Sequence, residues 1–512
     1  MLRLSLIYIA CILLFVPTQA QDCMNWQQQL GTQENENALD AKVAPNGQSY
    51  WIVGFNNTDN GLNESITSNG WLLEFNLDGT LEEDYQFGNE DAEVFSALDF
   101  LNNEIVIGGY RSKFDSTYYE GIAPSNFWMV NTDENALLNW EINFGGTGDD
   151  KILDVATSSS NIFFTGYSDS TDDDNLGNYG DDDLIVGKLN NQGDIEWIKN
   201  YGGSAEDKGN NIHVIDDQLF VFGQTRSSDN DVSNNIGSRD YWLLELDIAT
   251  GEIIREKTFG GGVGDVGIEM VYLGNENWAL IGESLSANGD VSNTLGNGDF
   301  WVLKIDGDWN IVWEKSFGGS SADFPQSIAV NNEGEILIAG STLSDDENIT
   351  SVFGFIDTWL AKLNSSNGNI IWQQSIGGND LDFATKIITY NDEILVAGFT
   401  DSPSIECGRQ QQLHEFHDLW FFSLKQPIVN VADNELIETE FDIIVRSNSI
   451  DIISNEEFNF QMISPTGQVL QHINNITTGA YTFHNNALPY GIYILSITNS
   501  NNRLTKKIYL GN

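Results

Sequence analysis

Hydrophobic and polar residues alternate in many short segments of this chain. The segments Asp194–Ile198 and Trp301–Asp306 show the pattern clearly. A period of two residues is typical of β-strands that bury one face. No segment has a sustained period of 3.6 residues. The pattern therefore predicts an all-β fold and excludes a helical solenoid.

The strand pattern recurs seven times along the chain. A segment of the form W-x-x-x-F-G-G, with degenerate copies, starts at Trp26, Glu83, Trp140, Trp197, Arg255, Trp313 and Trp372. Each start is followed by an apolar stretch that ends in glycine, a polar loop and a strand such as Asp299–Trp301. Four strands in a repeat of about 57 residues are typical of a β-propeller blade, so we predict a seven-bladed β-propeller.

The phase of the repeat predicts how the ring closes. The first segment, Trp26–Leu30, has no blade before it, and the last repeat ends after its third strand near Lys425. We therefore expect the N-terminal strand to pair with Trp420–Lys425, which removes two exposed sheet edges. Eleven of the 14 tryptophans occupy two repeated positions. Packing between blades is the main interpretation of these rings, and stacking on carbohydrate is the alternative.

Acidic residues follow the same repeat. The tenth residue after each start is acidic, at Glu36, Glu93, Asp150, Asp207, Asp265, Asp323 and Asp382. This position lies in the connection between two blades, on the side that also carries the long loops between second and third strands. We predict that the seven carboxylates form a binding face at one mouth of the propeller. Capping of turns by acidic side chains is the alternative.

The long loops are candidates for calcium sites. Ca²⁺ takes six to eight oxygen ligands, and the loops offer alternate oxygens at Asp172, Asp174, Asp229, Asp231, Asn288 and Asp290. No loop has the pattern of an EF-hand. Turn capping by Asp, Asn and Ser accounts for the same composition, so both interpretations stay open.

Catalytic and covalent signatures are sparse. Neither the H-E-x-x-H nor the G-x-S-x-G motif occurs, and no catalytic residue is assigned. Carboxylates at the mouth would suit a glycosidase, but acids are too abundant to be specific. Cys23 and Cys407 both belong to the closing blade. A disulfide between them requires the loop of Cys407 to fold back toward Cys23.

Charge excludes several classes of partner. The 512 residues include 76 Asp and Glu against 22 Lys and Arg, a net charge of −54. Binding to nucleic acid needs clustered basic residues, and docking on an anionic membrane needs them too. A hydrophobic content of 40% is too high for a disordered acidic chain.

The N-terminus predicts export. Arg3 precedes the apolar run Leu4–Val16, and small residues stand before an expected cut ahead of Gln21. This is the pattern of a secretory signal peptide. We therefore expect a signal peptide at 1–20, the propeller at 21–428, a separate domain at 429–512, and no membrane span in the mature chain.

The C-terminal tail reads as a small Ig-like β-sandwich of short alternating strands. Its segments Ser464–Val469, Leu488–Leu495 and Lys506–Ile508 resemble the C-terminal sorting domain of the type IX secretion system of Bacteroidota. The repeats also resemble the F-G-G/D-x-W propeller repeats of cargo proteins secreted by that system. The resemblance implies a Gram-negative source, export by the secretion machinery, and release or attachment at the outer surface, often after removal of the tail. An ordinary Ig-like adhesion module is the alternative.

These observations predict a function in binding. We expect a secreted or surface-attached, non-enzymatic adhesion propeller that engages a polysaccharide or protein at its acidic loop face, with Ca²⁺ as the candidate cofactor. The alternatives are a carbohydrate-active enzyme, either glycosidase or lyase, and a structural spacer. Fold alone does not choose among them.

Overall fold

The computed structural model of this chain describes residues 24–31, 35–58, 67–88, 92–114, 122–172, 177–349, 352–391, 393–402, 417–424, 441–445, 449–454, 457–463, 469–477, 479–484, 491–498 and 503–510. The predicted signal peptide, the pair Cys23 and Cys407, and the candidate ligand Asp174 lie outside these residues. The described residues form strands and turns without an α-helix. The chain divides after Pro427 into two compact units.

The first unit contains seven antiparallel sheets of four strands. A single parallel bridge between Ser68 and Ala92 links the first two sheets. In blades 1 to 4 the strands are β2 (Glu36–Val43), β3 (Ser49–Thr58), β4 (Thr67–Asn76) and β5 (Leu81–Phe87); β6 (Ala92–Leu101), β7 (Glu104–Phe114), β8 (Ile122–Thr132) and β9 (Leu138–Phe144); β10 (Asp150–Ser158), β11 (Asn161–Ser168), β12 (Asp183–Asn190) and β13 (Ile195–Tyr201); β14 (Asp207–Ile215), β15 (Gln218–Thr225), β16 (Asp240–Leu246) and β17 (Ile253–Phe259).

The remaining three blades follow the same order, except that the last one takes its fourth strand from the N-terminus. Their strands are β18 (Asp265–Gly274), β19 (Asn277–Ser284), β20 (Asp299–Ile305) and β21 (Ile311–Phe317); β22 (Asp323–Val330), β23 (Ile336–Thr342), β24 (Asp357–Leu363) and β25 (Ile370–Ile376); β26 (Asp382–Tyr390), β27 (Glu393–Thr400), β28 (Asp418–Leu424) and β1 (Met24–Leu30).

The ring closes as the repeat phase predicts. Strand β1 pairs antiparallel with β28, so that Gln28 faces Phe421 and Leu30 faces Leu419. The first strand of each blade contacts the first strand of the next, and β26 contacts β2. The innermost strands thus form a complete circle, and the prediction of a seven-bladed propeller closed by the N-terminal strand is confirmed.

A β-bulge in every first strand explains the glycine that ends each apolar stretch. In β14 the pairing register shifts between Gly209 and Asn211. The shift pushes the carbonyl of Lys208 toward Gly223 on β15, where an added Cβ would lie 1.9 Å from that oxygen. Only glycine tolerates such an approach. The equivalent second-strand glycines are Gly54, Gly109, Gly166, Gly282, Gly340 and Gly398.

Most of the repeated tryptophans pack inside the ring. On the third strands Trp242, Trp301 and Trp359 are fully buried, and the Nε1 of Trp301 donates to Glu314 on the neighbouring fourth strand at 3.0 Å. On the fourth strands, Trp140 lies over the turn of the next blade at Gly193. These contacts favour the packing interpretation over a platform for carbohydrate.

The second unit has two sheets. One contains β29 (Phe441–Val445), β30 (Ser449–Ser454) and β33 (Gly479–His484); the other contains β31 (Phe458–Ile463), β32 (Val469–Ile476), β34 (Gly491–Thr498) and β35 (Arg503–Leu510). Buried residues of both sheets, among them Ile452, Phe460, Phe483 and Ile497, form one hydrophobic cluster. The two packed sheets are consistent with the expected small β-domain, and its Ig-like topology stays a prediction.

The bulge predicts a sharp penalty for Gly223→Ala. The new methyl group would collide with the backbone carbonyl of Lys208, which cannot move without disturbing the ladder, so we expect about 3 kcal/mol of destabilisation. Gly264→Ala is the control, because the nearest heavy atom there would be 3.6 Å away. Thermal melts of the two variants check the account, and equal melting temperatures would contradict it.

Candidate binding face

The repeated acids of the blade connections are internal. Asp150, Asp207, Asp265, Asp323 and Asp382 are each 0% exposed. Glu36 and Glu93 are buried to the same degree, and Glu93 forms an ion pair with Arg111. This burial corrects the prediction that the seven carboxylates form a binding face, because none of them presents its oxygens to solvent.

The cause is a hydrogen-bond cap that joins three parts of the chain. In blade 4, one oxygen of Asp207 accepts the N–H of Gly203 at 2.8 Å and the hydroxyl of Ser227 at 2.7 Å. The other oxygen accepts the hydroxyl of Thr225. The acid therefore ties the F-G-G turn before it to the end of the second strand after it. Four further acids repeat the arrangement, namely Asp150, Asp265, Asp323 and Asp382.

The hydroxyl partners also follow a repeated sequence pattern, which the spacing of the acids alone does not predict. A Ser/Thr-x-Ser pattern ends each described second strand of blades 3 to 7, with members at Ser168 and Ser170, Thr225 and Ser227, Ser284 and Ser286, Thr342 and Ser344, and Thr400 and Ser402. Burial raises the pKa of Asp150 to about 6, while the hydroxyl of Ser168 opposes this shift. Hydrogen bonds to the carboxylate offset part of the desolvation cost.

The candidate calcium ligands also cap turns. Asp172, Asp229 and Asn288 each accept a backbone N–H from the connection to their blade, with distances of 2.9, 2.8 and 2.6 Å. Asp231 and Asp290 each bond the first glycine of an F-G-G turn. Among the described residues no three His, Cys, Asp or Glu side chains are grouped to hold a metal. Ca²⁺ in these loops stays a prediction.

With the acids internal, the exposed part of the loop face is partly apolar. In the loops between second and third strands, Tyr179 is 51% exposed, Ile236 42% and Phe355 65%. Between blades 4 and 5, Val263 and Leu285 are also exposed. We call these five residues the loop-face apolar set. In blades 3 to 6 each described loop packs on the connection to the next blade, as Gly237 does on Gly261 and Val263, so these loops form a belt along that part of the mouth.

A cleft lies within this belt at the junction of blades 4 and 5. Its volume is about 260 Å³. Arg239 donates to Glu206 at 2.8 Å, whereas Arg226 approaches the same carboxylate only to 3.8 Å. The side chain of Arg226 is therefore the more available, being 47% exposed. The cleft is lined by Arg226, Ser238, Arg239, Val263, Gly264, Val266, Glu283 and Leu285.

A second set of polar residues encircles the axis. In blades 2, 4, 5, 6 and 7 a backbone N–H beside the bulge of the first strand donates to the bulge residue of the preceding blade. For example, Asp154 accepts the N–H of Ile212 at 2.9 Å, and Glu269 accepts that of Ile328 at 2.8 Å. At the closing junction, Lys386 reaches Glu269 at 2.6 Å and Asp40 at 3.1 Å. Burial raises the pKa of Asp154 to about 7, and neighbouring lysines oppose this.

Larger clefts lie on the opposite side of the blades, between strand turns. One of about 280 Å³ is lined by Arg255, Trp278 and Trp309 among others. Arg255 stacks on Trp309 at 3.8 Å and binds Glu245. Both tryptophan rings are at most 2% exposed, so they offer no open stacking surface. The chemistry of this cleft is already satisfied by its own residues.

Comparison with known proteins places the tail in a family. Residues 446–510 match the model described as a secretion system C-terminal sorting domain. This match supports the expected sorting domain and indicates a protein that is secreted or held at the outer surface, with the secretion machinery as its partner. Among the described residues, no helix has the length and hydrophobicity that a membrane span requires. No curated protein matches the chain significantly.

Several solved structures resemble this chain at low similarity. The WD40 domain of Neurospora crassa Pan2 has a TM-score of 0.42 and 9% identity, covering 78% of this chain and 96% of its own. Pyrococcus horikoshii acylaminoacyl peptidase has a TM-score of 0.39 and 9% identity, covering 82% and 58%. A mutant of Synechocystis apocarotenoid oxygenase has a TM-score of 0.31 and 10% identity, covering 70% and 95%. These likenesses concern fold alone.

The cap predicts a structural role for Asp207. Asp207→Ala would leave the N–H of Gly203 and the hydroxyls of Thr225 and Ser227 buried without an acceptor, which costs about 2 kcal/mol or more. We expect a lower urea midpoint for this variant. The exposed acid Asp345 supplies the control, Asp345→Ala, which removes the same charge. If Asp207 served only to bind a ligand, the urea midpoints of both variants would equal that of the wild type, which would contradict the structural role.

The ion pairs of Lys386 with Asp40 and Glu269 predict that this lysine stabilises the junction at which the ring closes. Lys386→Met would leave Asp40 and Glu269 without their cation at a site only 20% exposed for the lysine, and breaking such a pair costs about 3 kcal/mol. Lys113→Met, at an exposed position, is the control. Calorimetry should show a lower melting temperature for Lys386→Met alone, and an unchanged value would refute the role.

Proposed function

We propose that this protein is a secreted or surface-displayed binding propeller that docks an extracellular protein through the loop face of blades 3 to 6. The observation that carries the proposal is the loop-face apolar set, Tyr179, Ile236, Val263, Leu285 and Phe355. Exposed apolar residues grouped within a polar rim are typical of protein-interaction surfaces. Aromatic side chains at such places are common anchors of binding energy.

The cleft between blades 4 and 5 supports a protein partner over a small molecule. Its volume of about 260 Å³ is below the 300–1,000 Å³ that is usual for small-ligand pockets, and it suits one side chain of a partner. Arg226 is the available cation at its edge, so a partner carboxylate beside an apolar group fits best. The net charge of −54 would steer partners with basic surfaces toward the remainder of the face.

The enzyme and spacer alternatives have less support. The carboxylates that a glycosidase would need at the mouth are occupied as turn caps, as Asp207 and Asp265 illustrate. A structural spacer gives no reason for the exposure of Phe355 and Tyr179. Calcium and the Bacteroidota origin belong to this proposal as expectations carried from the sequence.

An array of immobilised extracellular proteins and glycans tests the proposal, probed with the mature chain in EDTA and in millimolar Ca²⁺. We expect binding to protein spots that falls at least tenfold in the triple variant Tyr179→Ala, Ile236→Ala, Phe355→Ala. A matched variant on the outer rim, Leu138→Ala with Ile254→Ala and Val312→Ala, also removes exposed apolar residues and should bind as the wild type does.

Two results would overturn the proposal. One is binding that the rim variant abolishes and the loop variant preserves. The other is release of new sugar ends from glycan spots, which would favour the enzyme. Melting curves of both triple variants separate lost binding from lost folding.

A further inference from the structure

A second acid stands beside the cap at the blade junctions. Asp357 begins the third strand of blade 6, Asp382 begins the first strand of blade 7, and both are 0% exposed. At Gly377, between them, an added Cβ would lie 1.9 Å from Oδ1 of Asp357 and 2.9 Å from Oδ2 of Asp382. Two carboxyl groups therefore lie on either side of the small buried space that a side chain at position 377 would fill.

Only one of the four carboxyl oxygens has no hydrogen-bond partner. Asp382 accepts hydrogen bonds from Gly378, Ser402 and Thr400 through its two oxygens. Asp357 accepts the N–H groups of Phe353 and Gly354 through Oδ2. Its Oδ1 is buried and unpaired. A buried, unpaired carboxylate oxygen beside a second carboxylate is costly, whereas a protonated one becomes a donor with an acceptor next to it.

The feature repeats around the ring. The Oδ1 atoms of Asp183, Asp240 and Asp299 are likewise buried and unpaired, each on a third strand. In blades 1 and 2 the equivalent position holds Asn69 and Asn126. Asparagine is neutral and carries an N–H₂ donor where a protonated aspartate carries O–H. The chain thus places a neutral side chain at this position twice by its sequence. The buried, unpaired oxygens favour a neutral side chain at the junctions of Asp183, Asp240, Asp299 and Asp357 as well.

We propose that the junctions of Asp183, Asp240 and Asp357 are proton-binding sites, in which the third-strand aspartate binds a proton and donates toward the first-strand aspartate of the next blade. The proposal is independent of the binding function. Burial, together with the charge of Asp382, raises the pKa of Asp357 to about 6. The pKa values of Asp183 and Asp240 are likewise raised to about 6, chiefly by burial.

Other charged groups near the blade 6 to 7 junction do not supply a cation for the pair. Asp380 lies in the connection before Asp382, and Asp401 raises the pKa of Asp382 through its charge, although burial is the larger cause. His417 pairs with Asp401 rather than with either junction acid. In the described part of the chain, no Lys or Arg pairs with Asp357 or Asp382.

The sign of the pH dependence follows. A carboxyl group whose pKa is higher in the folded chain than in the unfolded chain stabilises the fold below its ordinary pKa near 4, and that stabilisation is lost as pH rises through the folded value. Between these two values the unfolded group is ionised and the folded group is protonated, so we expect this contribution to the melting temperature to fall between about pH 4 and pH 6. The contribution of the site is isolated by substitution.

Asp357→Asn is the decisive variant, since it fixes a neutral side chain at the position, as Asn69 and Asn126 do in blades 1 and 2. We expect its melting temperature to exceed that of the wild type by a few degrees at pH 8 and by less at pH 5. Asp382→Asn, which replaces one of two accepting oxygens with an N–H₂ donor, should melt lower at both pH values. Asp345→Asn, at an exposed loop acid, controls for the loss of one charge.

Infrared spectroscopy supplies a readout that stability alone does not give. At pH 5, where Asp357 is mostly protonated, the wild type should show protonated carboxylic acid absorption that is weaker in Asp357→Asn and unchanged in Asp345→Asn. The proposal fails if Asp357→Asn melts lower than the wild type at pH 8, or if this absorption is the same in all three proteins. It also fails if Ca²⁺ or Na⁺ raises the wild-type melting temperature at pH 8 and Asp357→Asn abolishes the gain, because a cation would then occupy the site.

Discussion

A buried aspartate that accepts three hydrogen bonds is the interaction on which this propeller depends. It links the F-G-G turn, the first strand of the next blade and the end of that blade's second strand, as Asp207 does with Gly203, Thr225 and Ser227. A charge taken out of water is costly unless it is fully bonded. The repeat therefore keeps the glycine N–H and both hydroxyls together with the acid, and the four elements form one structural unit.

This constraint decides where function can lie. The repeated acids are buried in hydrogen-bond caps, so other residues form the exposed part of the loop face. Among them are Tyr179, Phe355 and Arg226. Around the axis a second set of hydrogen bonds links neighbouring blades. Bulge residues such as Asp154 and Glu269 satisfy N–H groups of the next blade, and Lys386 closes the circle to Asp40. Stability and ring closure thus rest on polar links between blades as well as on the apolar core.

The architecture was predictable from sequence because it is periodic. Seven copies in phase placed β11 at Asn161–Ser168 as observed, and the unpaired first segment required β1 to join β28. Whether the repeated acids face solvent or the interior was not predictable in the same way. An acidic residue at a repeated position is compatible with an exposed ring of carboxylates and with a buried cap. Only the accompanying Ser/Thr-x-Ser pattern distinguishes the two. The polar residues around the axis were not predicted, because the bulge in each first strand shifts the alternation of inward and outward side chains. Asp154 and Asn211 therefore fall on the side opposite to the one that a simple period of two assigns.

The proposed site follows only in part from the sequence. The apolar residues of the loop face and the pair Arg226 and Arg239 occur in single blades and leave no periodic signal. In a chain whose copies agree on what the fold needs, such departures are where binding properties can differ from blade to blade. That is the physical reason to look for a partner at blades 3 to 6.

Hydrogen exchange of the F-G-G turns tests the central claim most directly. The peptides 201–206 and 317–322 contain glycine N–H groups that lie close to the loop face yet donate to buried aspartates. The account predicts that these amides exchange slowly in the native chain and equally slowly in EDTA and in Ca²⁺. Rapid exchange in EDTA that Ca²⁺ suppresses would contradict it, because the acids would then be organised by a bound ion rather than by the turn.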